Sequence, residues 1–77
     1  MRRAVNRSDI DRFTKADICR ILDEAHFNEE QLSVFDLLVS TRFMDDISIY
    51  MRLNLSQSRY YRIKKIVLEK INRILNE

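Results

Sequence analysis

The stretch Asp45-Asp46-Ile47-Ser48-Ile49-Tyr50-Met51-Arg52-Leu53-Asn54-Leu55-Ser56-Gln57-Ser58-Arg59-Tyr60-Tyr61-Arg62-Ile63-Lys64-Lys65 decides how the rest of the chain is read. Asp45 or Asp46 can cap a short helix carrying Ile47, Ile49, Tyr50 and Leu53. That helix must stop at Asn54, the non-glycine residue that best tolerates a left-handed turn. Leu55 then plugs the corner, and Ser56 caps a new helix that begins at Gln57. A short helix, a tight turn holding Asn and a hydrophobic residue, and a capped second helix form the helix-turn-helix pattern.

Outward from this unit, the second of these helices continues to the end of the chain. At about 100° per residue, Tyr60, Ile63, Val67, Ile71 and Ile74 share one side and must face a core. Opposite them lie Gln57, Ser58, Tyr61, Arg62 and Lys65. Lys64 borders the core face and is expected to snorkel its amine to solvent. Ile66 and Leu68 widen the apolar surface beyond one packing face. Either self-association or packing on the first helix would account for them.

Toward the amino terminus, two more helix starts are legible. Thr14 with Asp17 is an acidic variant of the capping box, stapled by Phe13 and Ile18. The stripe Ile18, Ile21, Leu22 and Ala25 carries that helix to about His26. Ser8 with Asp11 suggests that residues 8–13 extend it backward. Asn28 with Gln31 repeats the device, with Phe27 packing toward Leu32, and predicts a helix from Glu29 to Ser40 with Leu32, Phe35, Leu38 and Val39 inward. The expected fold is therefore all-α: a single small four-helix domain over residues 1–77, with the helix-turn-helix in its third and fourth helices and a long C-terminal recognition helix. Residues 1–12, with Arg2, Arg3 and Arg7, read either as a mobile basic arm or as a solvated tail.

Composition agrees with an all-helical chain. There is no Gly and no Pro among the 77 residues, which removes the residues that hairpins and phosphate-cradling loops depend on. A chain this short buries only about 60% of the surface its unfolded form exposes, so stability is marginal and a second copy would help it. No run approaches the roughly 20 apolar residues of a membrane span, and no apolar block follows Met1-Arg2-Arg3 to suggest a signal peptide. Cys19 is the single cysteine and His26 the single histidine. Neither a disulfide nor a four-ligand zinc site can be built from them. The cytoplasm is the expected compartment. Beside Ile18, Cys19 reads as a small, partly buried apolar residue. His26, in the joint between two helices, suits capping or packing. No nucleophile and base pair up, the carboxylates sit at helix starts, and neither an enzyme nor a cofactor is implied.

Charge is unevenly spread behind a net of +2. Residues 23–46 hold seven acids against Arg42 alone, a net of −6, while residues 57–77 hold six bases against Glu69 and Glu77, a net of +4. A basic end beside an acidic middle suits a protein that touches a polyanion with one element. On that reading Arg62 can take guanine through its paired donors and Gln57 can pair with adenine. Lys65, Ser58 and the amides near Ser56 suit phosphate, Tyr61 a thymine methyl or phosphate, and Arg59 and Arg42 the flanking backbone. A rival reading places the function on the acids Glu29, Glu30, Asp36, Asp45 and Asp46, as a surface that occupies a basic groove of a host nucleic-acid machine such as RNA polymerase.

The stretch from Ile49 to Lys65 resembles the carboxy-terminal helix-turn-helix of sigma factors, region four. It resembles still more closely the phage transcription regulators of the ArpU kind, in which Tyr-Tyr-Arg followed by lysines, here Tyr60-Tyr61-Arg62 and Lys64-Lys65, is common. Asn54 stands where those families carry glycine, Val67 where alanine is usual, and Tyr50 where a small residue is expected. The resemblance covers residues 29–75 and implies a phage or prophage regulator of transcription, acting on double-stranded DNA in a bacterial host cell; the self-association reading of Ile66 and Leu68 would make it a homodimer.

Overall fold

The computed structural model describes Ile10, residues 12–40 and residues 45–76. These form four helices and no strand: α1 (Lys15–Ala25), α2 (Glu29–Ser40), α3 (Asp46–Arg52) and α4 (Gln57–Leu75). Arg42 and residues 1–9, the amino-terminal arginines among them, lie outside the described residues. Of the proposed extension over residues 8–13, Ser8 and Asp11 also lie outside them. Ile10 is helical and buried, and its carbonyl accepts from the Phe13 amide at 3.1 Å.

Each helix begins where a side chain satisfies a first-turn amide that has no partner in the helix itself. The Thr14 hydroxyl accepts from Asp17 N at 3.1 Å while the Asp17 carboxylate accepts from Thr14 N at 3.0 Å, a complete capping box. Asn28 and Gln31 exchange the same pair of bonds at the start of α2. At α3 the cap is Asp45, which accepts from Ser48 N at 2.9 Å and leaves Asp46 as the first helical residue. At α4 it is Ser56, accepting from Arg59 N at 3.3 Å.

Helix ends are equally local. Among the described residues two take positive φ, His26 at 51° after α1 and Asn54 at 58° after α3. Around Asn54 the amide of Asn54 reaches the Met51 carbonyl and the amide of Leu55 reaches the Tyr50 carbonyl, at 3.1 and 2.9 Å. These two bonds make a Schellman termination, which needs a left-handed residue at this point. The chain thus reverses from α3 into α4 without glycine.

α4 packs against all three other helices, and α2 also meets α3. Its stripe Tyr60, Ile63, Val67, Ile71 and Ile74 is buried along its whole length. Against it sit Ile21 and Ala25 of α1, Val34, Phe35 and Leu38 of α2, and Ile49 of α3. Tyr50 is half-buried, its ring tilted on that of Tyr60 at 5.6 Å, so the bulk at this position is absorbed as an aromatic pair.

Three apolar residues expected inside are exposed. On α2 the inward row is Gln31, Val34, Phe35 and Leu38, which turns Leu32 outward, and Phe27 packs on Phe35 with ring centroids 5.1 Å apart. Gln31 holds an inward place because its side chain is consumed by the Asn28 cap and by Lys70, whose amine donates to Gln31 Oε1 at 2.9 Å. Leu22 stands one residue past the buried Ile21, about 100° around α1, and Ile47 is two residues from the buried Ile49, so both point away from the core. Cys19 is exposed for the same reason, since it follows the half-buried Ile18 and precedes Ile21 by two positions.

Candidate nucleic-acid interface

The first three turns of α4 carry two kinds of polar residue, and their angular positions separate them. Gln57, Ser58, Tyr61, Arg62 and Lys65 fall within about 140° of one another at 100° per residue, on the side away from the core stripe. All five are exposed. Tyr61 sits edge-on to the buried Tyr60 ring at 5.2 Å, with the Lys64 amine 5.7 Å from its own ring centre. Its ring is therefore held beside the polar face. Among the described residues, neither Arg62 nor Lys65 forms an ion pair.

Arg59 and Lys64 flank the core stripe on its two sides, and each is engaged by a neighbouring helix. Arg59 donates through Nε to Glu30 Oε2 at 3.1 Å and through a second guanidinium nitrogen to Glu30 Oε1, a two-pronged pair between α4 and α2. The Glu30 carboxylate, by hydrogen bonding and then by its charge, pushes the Arg59 guanidinium above its ordinary value. On the other side, Lys64 Nζ lies 3.1 and 3.0 Å from the two Asp46 oxygens, and the Tyr60 hydroxyl donates to Asp46 Oδ1 at 2.8 Å. Lys64 therefore turns its amine into the α3–α4 joint instead of out to solvent, because an acid waits there at the first residue of α3.

An open depression of about 500 Å³ lies between the start of α2 and the start of α4, lined by Glu30, Ser58, Arg59, Arg62 and Ile63. It places the Ser58 hydroxyl and both arginines beside the capped end of a long helix, where backbone amides favour negative charge. Chemically, the face can donate hydrogen bonds and positive charge to an anion and can accept through Gln57, Ser58 and Tyr61.

Of the residues singled out in the sequence, Gln57, Ser58, Tyr61, Arg62 and Lys65 share one surface. Arg59 borders it while bound to Glu30, and Asn54, Leu55 and Ser56 form the turn beneath it. Glu30 and Asp46 are the two residues that the sequence did not connect to this surface. Nothing local marks the first, 29 residues from Arg59, and the second was hidden by Asp45, its competitor for the cap.

Among the described residues no group of His, Cys, Asp and Glu is placed to hold a metal ion, and no helix is long and apolar enough to cross a membrane. No family model matches the chain, and neither a curated protein nor a solved structure matches it.

Proposed function

We propose that this chain binds double-stranded DNA sequence-specifically, as a small phage-type regulator of transcription in a bacterial cell, with α4 entering the major groove from about residue 57. The observation that carries this reading is the outer face of α4. Among the described residues no carboxylate pairs with Arg62 or Lys65 there, while the opposite face of the same helix is fixed by five buried residues. A recognition helix needs such a division, with base-reading donors held rigidly on a packed support. The α3–turn–α4 unit, with Asn54 left-handed and Ser56 capping, supports a helix-turn-helix assignment. In this role Arg62 and Gln57 read base edges, and Ser58, Lys65 and the first amides of α4 hold phosphate. A homodimer formed through exposed apolar residues such as Ile66 would read half-sites about 34 Å apart or a multiple of that.

The rival, an acidic surface aimed at a host machine such as RNA polymerase, loses two of its acids to internal pairs, Glu30 to Arg59 and Asp46 to Lys64.

The deciding experiment is a salt titration of binding to random and genomic duplex DNA, with the Arg62→Ala/Lys65→Ala variant beside the parent. Binding falls steeply with salt, and the variant loses about 0.9 from the slope of log K against log salt for the Lys65 phosphate contact, while loss of Arg62 relaxes the preference for specific over random sequence. Absence of binding by the parent at low salt refutes the proposal and turns attention to the acidic face.

A further inference from the structure

The cation best placed to extend the proposed interface toward α2 is already holding a carboxylate. Arg59 lies in the first turn of α4, lines the same depression as Ser58 and Arg62, and presents two nitrogens to the two oxygens of Glu30. A guanidinium forked onto two oxygens is also how arginine holds a phosphate, so Glu30 offers Arg59 the geometry that a backbone phosphate would offer. Both side chains are about half exposed, 59% for Arg59 and 46% for Glu30, so the pair is accessible and exchangeable and is not a buried structural bridge.

Resting on the DNA-binding reading above, we propose that Glu30 is an internal stand-in for phosphate that occupies Arg59 and thereby restrains non-specific binding of this protein to polyanions. While the pair is closed, the charges of Arg59 and Glu30 cancel and together add nothing to the surface. A duplex then gains from Arg62 and Lys65 alone on this side of α4. Affinity for arbitrary sequence is kept low, and contacts that read base edges make up a larger share of the binding energy. The device sets specificity as a ratio of affinities by weakening the wrong complexes.

The test compares the parent, Glu30→Gln, and Glu30→Gln/Arg59→Gln on a random-sequence 20-base-pair duplex across a range of salt. Both positions are exposed, and circular dichroism is expected to show parental helix content in each variant. Glu30→Gln frees Arg59 for one added phosphate, so its slope steepens by about 0.9, equivalent to about eightfold tighter binding at 0.1 M salt for curves that meet at 1 M. In Glu30→Gln/Arg59→Gln the slope returns to that of the parent and affinity to within about twofold, because the gain runs through Arg59.

A gain that persists in the double variant overturns the proposal, since removal of any acid would then suffice. So does a parental slope in Glu30→Gln while Arg62→Ala/Lys65→Ala still weakens binding, an outcome that leaves the DNA-binding reading intact. A parent that binds no duplex at low salt removes both.

Discussion

Replacing Asp46 by alanine tests whether the α3–α4 joint is held by polar contacts as well as by its apolar seam. Asp46 Oδ1 accepts from the Tyr60 hydroxyl at 2.8 Å and both carboxylate oxygens face Lys64 Nζ. The Tyr60 side chain is fully buried, and the ion-paired side chains are only 16% and 25% exposed, Lys64 and Asp46 respectively. A hydrogen bond to a charged acceptor contributes about 1.5 to 3 kcal/mol, and the lower end applies here because the carboxylate keeps some contact with water. The ion pair adds about 0.5 kcal/mol, as expected for partners that are not fully desolvated. Alanine gains about 0.5 kcal/mol of helix propensity at this first helical position. It loses about as much by removing an acid from the positive end of α3. The net expectation is a loss of about 2 kcal/mol, which in a domain of this size lowers the melting temperature by roughly 10 °C. Tyr60→Phe, which spares the ion pair, should fall by about 1.5 kcal/mol, and the double variant should show coupling of about 1 kcal/mol between the two positions. Thermal melts followed by circular dichroism give all three values. A melting temperature for Asp46→Ala within 2 °C of the parent, or additive single changes, would refute the reasoning and leave the joint to apolar packing alone.

Two other outcomes follow from local geometry. Asn54→Val forces a β-branched residue to φ near 58° and should cost about 1 to 2 kcal/mol, lowering the melting temperature by roughly 10 °C, whereas Asn54→Gly should melt at or above the parent. An unchanged melt for the valine variant would contradict the left-handed turn. Cys19, exposed on α1, should react with a thiol reagent in the folded protein at a rate within about threefold of a free thiol peptide. Reaction only after denaturant is added would show the side chain to be covered.

How much of this was legible in the sequence depended on how long a pattern ran. α4 spans 19 residues, so its five-residue stripe repeats over several turns and no other register fits. α3 has seven residues, too few for a repeat to distinguish Ile47 from Ile49, and one of the two is exposed. α2 misled for a different reason. Its inward row follows the helical spacing at 31, 34, 35 and 38, but the first member is a glutamine, and an apolar reading shifts to Leu32 and Val39 instead. What makes Gln31 acceptable inside is a cap at Asn28 and an amine from Lys70, 39 residues away, and the second of these belongs to tertiary structure. Caps and turns were legible because their partners lie within five residues of one another.

The same distinction governs how charge in the sequence should be converted into function. Counted along the chain, α4 offers Arg59, Arg62, Lys64, Lys65, Lys70 and Arg73, and their number is what suggests a polyanion. In the folded chain Arg59 is held by Glu30, Lys64 by Asp46, and Lys70 by Gln31 and the Phe27 ring. These three flank the buried stripe, and they fasten α4 to α2, to α3 and to the residues around the Asn28 cap. The acidic middle of the chain is partly the counterpart of those fastenings, which weakens its claim to be a separate binding surface. Arg62, Lys65 and Arg73 remain on the outer side, and Arg73 stands about three turns beyond Arg62. Any interface built on the start of α4 therefore rests on two cations, Arg62 and Lys65, with Arg59 as a third only when Glu30 releases it.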